Sequence, residues 1–324
     1  MPVGRRHRET GGACGTSKPS QGAKPRTGFA RCVLVSREKD VEWVQLFPSY
    51  KTQMCKMTDQ DLEAIRTAVQ LLENASLAAR LTNILGKPIE LIGLALPEGA
   101  AKVIAAATTK GLEAALKVAL RTMENRPEAA SRLLHKALAT ASGAVGGSLG
   151  LVTAPLELPI STIIMLRSIA DIARSEGENL ADPDAALSCV QVFALGARTA
   201  PVDAAESGYF VVRGLLAKSI TEAARFITER GIVEEGAPIL VRFIAQIASR
   251  FGVVVSQKLA AQTLPVVGAL GGAAVNYAFI DHFQDVARGH FAIRRLERAY
   301  GKEIVRAQYE RIRDESKATL PGAH

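Results

Sequence analysis

The sequence predicts an all-α fold, a multi-helix bundle with two glycine-rich apolar helical segments at its centre. Three observations carry this expectation. Aromatic residues make up only 5% of 324 residues while alanine, leucine and glycine abound, a composition that suits close-packed helices better than sheets. Beyond residue 57, apolar residues recur at steps of three and four. Two stretches, Ala137 to Leu156 and Leu259 to Ile280, carry no charge and hold glycines in G-x-x-x-G pairs.

A chain of this length can bury a core without disulfides. Cys14, Cys32, Cys55 and Cys189 are too widely spaced for a C-x-x-C pair or a zinc signature, so a reducing, cytosol-facing compartment is expected, with no metal and no cofactor. The formal net charge of +8 is unevenly placed. Residues 1–56 hold eleven Lys/Arg against four Asp/Glu, a net of +7, which leaves +1 for the remainder. No nucleic-acid partner is therefore expected for the folded domain. The tail "MPVGRRHRETGGACGTSKPSQGAKPRTG" lacks the apolar core of a signal peptide, and residues 1–56 are expected to be a disordered basic extension. It reads either as an arm for anionic lipid or RNA, or as sequence upstream of a start at Met57. A single helical domain is expected over 57–318, with residues 319–324 disordered.

Thr58 and Asp61 have capping-box spacing, and Leu62, Ile65, Val69 and Leu72 give the first helix one apolar face up to a stop at Gly86-Lys87-Pro88. Pro97 punctuates the next segment, and residues 98–124 form a third helix with Val103, Leu112, Leu116 and Leu120 as core positions. A turn at Asn125-Arg126-Pro127 places Pro127 at the first position of the following helix. The first uncharged stretch comes next, with the pairs Gly143/Gly147 and Gly146/Gly150; the second holds Gly268/Gly272. Each helical glycine costs about 1 kcal/mol relative to alanine, so the clusters imply close backbone approach between helices. Both stretches are long enough to cross a bilayer, yet Pro155 and Pro265 interrupt them and small residues dominate. Insertion and a buried hairpin both fit. Between them, Leu240, Phe243, Ile244, Ile247 and Phe251 form the stripe of an amphipathic helix.

Glu157 stands between Pro155 and Pro159, which remove two helical N–H groups, so a continuous helix cannot cross this point. A new helix can start here with Glu157 near its positive end. A lone carboxylate among apolar segments is costly without a partner, and Arg167 is the expected one, with Asp171 four residues further as a third member. Further on, Asn276, Asp281, His282, Asp285 and His290 share one helical segment. Their spacing matches no metal signature and reads as a solvated polar face, with Gly289 as an interruption. Ile293, Leu296 and Tyr300 continue as an amphipathic helix up to a stop at Gly301. Nothing matches the phosphate loop, the nucleophile elbow or the dinucleotide fingerprint.

The stretches "APLELPISTIIMLRSIADIARSEGENLADPDAALSCVQVFALG" and "LPVVGALGGAAVNYAFIDHFQDVARGHFAIRRLERAYG" resemble the two diagnostic blocks of the bacterial EcsC family, and the resemblance spans Met57 to about residue 315. Ser175 departs from the pattern, which has an aromatic before the glycine. The resemblance implies a helical protein encoded in some bacteria beside an ABC exporter linked to protein secretion. It supplies no catalytic residues, but draws attention to Glu157, Arg167, Asn276, Asp281 and Arg295. The expected function is that of a membrane-associated accessory or interaction protein, possible partners being membrane lipid, a membrane protein such as an ABC transporter, or a second copy of the chain. The expected location is the cytoplasmic side of the cell membrane. The alternatives are a hydrolase using Glu157 with Asp281 or His282, and a soluble helical scaffold that binds a partner peptide.

Overall fold

Helix α1 (Asp59–Glu73) begins at the expected capping box. The Asp61 N–H donates to Thr58 Oγ1 at 3.1 Å, and the Thr58 hydroxyl donates to Asp61 Oδ2 at 2.8 Å. In this computed structural model the described residues are 57–73, 76–86, 99–122, 154–197, 208–230, 237–262 and 268–318. They form nine helices and no strand, and all lie in the unit Cys55–His324. The fold is all-α, as the composition and periodicity predict. The amino-terminal extension and the carboxyl-terminal six residues lie outside the described residues, as does the expected turn at 125–127.

The expected first helix is in fact two. Ser76 accepts a hydrogen bond from the Ala79 N–H and opens α2 (Leu77–Leu85), which Gly86 ends in the left-handed region at φ 65°. A serine that can cap a helix divides a periodic run whose apolar spacing alone would not show the break. In α3 (Ala100–Thr122) the core row is Ile104, Thr108, Leu112, Leu116 and Leu120, each four residues from the last. Val103, expected in the core, falls outside this row and is 39% exposed.

The remaining helices are α4 (Ala154–Ser175), α5 (Pro183–Leu195), α6 (Tyr209–Arg230), α7 (Pro238–Gln262), α8 (Gly268–Tyr300) and α9 (Lys302–Ala318). Asp182 caps α5 and Pro183 fills its first position, after which every residue from Ala185 to Leu195 is buried. A helix apolar on all sides belongs in the interior. α8 is the hub, packing against α1, α2, α4, α5, α7 and α9. Where α5, α7 and α8 meet, Phe193, Phe251 and Phe283 stack with ring centroids 4.9 to 5.6 Å apart.

The two glycine-rich stretches were expected as paired helical segments at the centre of the bundle. Of the first, Gly143, Gly146, Gly147 and Gly150 all lie outside the described residues, so the pairs Gly143/Gly147 and Gly146/Gly150 have no counterpart among the helices described. Of the second stretch, residues 259–262 end α7 and residues 268–280 begin α8, with Gly268 as the first residue of α8 and Gly272 buried one turn further on, while residues 263–267 lie outside the described residues. Gly289 does not interrupt α8. A Cβ there would lie 2.7 Å from Leu72 Cγ, so the glycine is where α1 presses against the hub. Gly196, just past α5, stands equally close to Phe283: a Cβ would come within 2.4 Å of the ring.

Candidate functional site

α4 begins at Ala154, takes Pro155 in its first turn and runs on through Pro159, so Glu157 stands in the first turn as expected. Its partner is not Arg167, which is exposed. Lys258 of α7 reaches across the bundle, and its Nζ donates to Glu157 Oε1 at 2.7 Å, with side-chain exposures of 0% for the lysine and 6% for the glutamate. The same ammonium lies 5.0 Å from the centroid of Phe279 on α8, a cation–π contact. One turn beyond Lys258, Gln262 is buried and neither atom of its amide has a hydrogen-bond partner. α3 closes on α4 at Gly111, where a Cβ would stand 3.0 Å from Thr162 Oγ1. The expected three-member network does not form, because Asp171 pairs with Arg174 at 2.9 Å.

The polar residues of α8 do not make a solvated face. They tie the hub to its neighbours one at a time. Asp281 and Asp285 grip Arg80 of α2 at 2.8 and 2.5 Å. His282 is fully buried and its Nε2 lies 2.7 Å from the carbonyl oxygen of Gly196. Gln284 donates to Ser168 of α4 at 2.5 Å. His290, also fully buried, meets the Tyr209 hydroxyl of α6 at 2.8 Å through Nδ1. Arg294 holds Glu178 and Asp184, Arg295 holds Glu176 at 2.8 Å, and Glu297 receives a two-pronged grip from Arg213 at 2.7 and 2.6 Å. Asn276 is buried near the start of the helix. Glu157 shares no hydrogen bond with His282 or Asp281: its one bonded oxygen faces Lys258, while the two α8 residues are held by Gly196 and Arg80.

Burial governs the titration of these groups. It pushes the Cys189 thiol up to about 12 and the Tyr209 hydroxyl to about 12. It lowers His282 to about 4, against the opposing pull of the Gly196 carbonyl, and drives His290 well below its ordinary value, helped by Arg213 and Arg294. A histidine whose folded pKa is depressed is neutral in the fold, while the unfolded chain takes up a proton below about pH 6.5. Stability is then complete above that pH and falls as pH drops towards 4. At pH 5, His282 alone should remove about 2 kcal/mol relative to pH 7.5, with His290 acting in the same direction. Urea midpoints at the two pH values measure this, and equal midpoints would contradict it.

Sequence reasoning missed Lys258, Tyr209 and Arg213. The signal for Lys258 is in the sequence: it is the last charge before the uncharged run that begins at Leu259. Among the described residues no cluster of three or more His, Cys, Asp or Glu could hold a metal ion. α7 is, among the described residues, the one helix long and apolar enough to cross a membrane, although its apolar stripe reads as that of an ordinary amphipathic helix. Compared with known families, the chain matches the EcsC protein family over residues 48–296. No curated protein and no solved structure matches it.

Proposed function

The chain belongs to the EcsC protein family, and from that membership we propose that it is a membrane-associated accessory protein of a transport or secretion system, seated on the cytoplasmic face of the cell membrane. The observation that carries this reading is α7. Its 25 residues would span a bilayer, yet only 33% of its most apolar window lies inside the protein. One face of α7 is committed to the core through Phe243, Ile247, Phe251 and the Lys258 ion pair. The other presents Val241 and Val253, at 53% and 40% exposure, beside α6 with Val211 and Leu215 at 43% and 61%. Lys218, Arg225, Arg230 and Arg242 are exposed on the same two helices, Lys218 and Arg225 in surface ion pairs with Glu222 and Glu229. Apolar side chains flanked by cations suit the interface of an anionic bilayer, where each basic residue adds about 1 kcal/mol of attraction. Because α7 is anchored by its inner face, binding on the surface fits better than crossing.

Flotation of the full chain with vesicles of phosphatidylglycerol and phosphatidylcholine tests this. The wild-type chain should float at low salt, and Leu215→Asp with Val241→Asp should leave it at the bottom of the gradient while its circular dichroism is unchanged. Equal flotation of both chains would refute this role for α6 and α7.

A further inference from the structure

On a different side of α6, a cleft of about 440 Å³ opens among α5, α6, α8 and α9. Its lining includes Ser188 and Gln191 of α5, which are 1% and 2% exposed. Neither Ser188 Oγ nor Gln191 Nε2 has a hydrogen-bond partner. A buried donor left without an acceptor costs about 1–3 kcal/mol, and native proteins rarely keep two together unless something completes them. The rest of the lining suggests what does so. Five cations face the cleft, Arg213, Arg294, Arg298, Lys302 and Arg306, against three carboxylates, Asp184, Glu297 and Glu303.

The arginines are held in place by their acidic partners: Arg213 by Glu297, Arg294 by Glu178 and Asp184, Arg298 by Glu178 and Arg306 by Glu310, which leaves Lys302 as the lining cation without an ion pair among the described residues. A guanidinium has five N–H donors, so each keeps some for a further acceptor. Lys302 is exposed and makes no ion pair among the described residues. It is also the first residue of α9, set there by Gly301 at φ 90°, so the positive end of that helix adds to the same side of the cleft. Phe210, Ala217 and Ile220 supply an apolar wall.

We infer that this cleft binds a phosphate group, with Ser188 and Gln191 as floor donors, Lys302 and the arginines as its positive rim, and the apolar wall for whatever the phosphate is attached to. A soluble phosphate ester and a phospholipid headgroup share this chemistry, and the test separates them. Thermal unfolding of the full chain is followed against inorganic phosphate, with sodium chloride at matched ionic strength as control. Wild type should be stabilised saturably by phosphate. Lys302→Ala, an exposed position, should weaken the apparent affinity about tenfold. Gln191→Leu removes an unpartnered donor, so it should unfold at or above the wild-type temperature without phosphate and still lose the response, which a purely structural role would not produce.

In the second arm, both variants are floated with phosphatidylglycerol vesicles. Loss of flotation in Lys302→Ala and Gln191→Leu, reproduced by saturating phosphate as competitor, would identify a headgroup as the source. A phosphate response with flotation intact would identify a soluble ester. If neither phosphate nor vesicles distinguish these variants from wild type, the inference is wrong, and the membrane role of α6 and α7 is unaffected because it depends on Leu215 and Val241.

Discussion

Replacing Lys258 by methionine is expected to destabilise the protein by about 3–5 kcal/mol, because it leaves the Glu157 carboxylate buried without its counter-ion. The lysine is fully buried and the glutamate nearly so, so water cannot take over the role of the ammonium. The cost lies in the stranded charge more than in the lost contact. The double replacement Glu157→Leu with Lys258→Met should therefore recover most of it, since well-packed apolar residues often replace a buried ion pair at no net cost. Urea midpoints of the two single variants and the double measure the coupling. If Lys258→Met and the double replacement are equally unstable, the pair is not holding α4 against α7 through its charge.

Truncating Phe283 to alanine should cost about 3–5 kcal/mol, the range for emptying an aromatic site in a packed core. Its ring is fully buried, touches Phe193 and Phe251 at 5.6 and 5.5 Å, and covers Gly196 so closely that a methyl group there would overlap it. Gly196→Ala alone should cost about 1–3 kcal/mol by overpacking. Combined, the two substitutions should be less damaging than their sum, because the shortened side chain leaves room for the added methyl. Strict additivity in calorimetry would mean that the glycine is required by something other than this ring.

What the sequence made legible follows physical lines. Caps and stops were readable because they depend on neighbours in sequence: the Thr58 box, the proline-opened start of α4 and the Gly301 stop all stand where expected. The helical class was readable from periodicity. The site was readable on one side only. Glu157 was conspicuous as a charge among prolines and apolar residues, but its partner lies 101 residues away, and nearness in sequence favoured Arg167. The same reason hid the role of α8. Its Asp, His, Gln and Arg residues look like a wetted face in a linear reading, whereas a helix surrounded by others must satisfy each polar group on a different neighbour. Gly289 looked like a helix breaker because Leu72, which needs the space, is more than two hundred residues away.

The membrane role is tested most directly by fractionating cells that express the full chain, with carbonate extraction of the membrane pellet. Surface attachment through α6 and α7 predicts that the protein pellets with membranes at low salt and is released by carbonate. Recovery wholly in the soluble fraction at low salt would contradict the proposed function, and pelleting that resists carbonate would contradict surface attachment in favour of insertion.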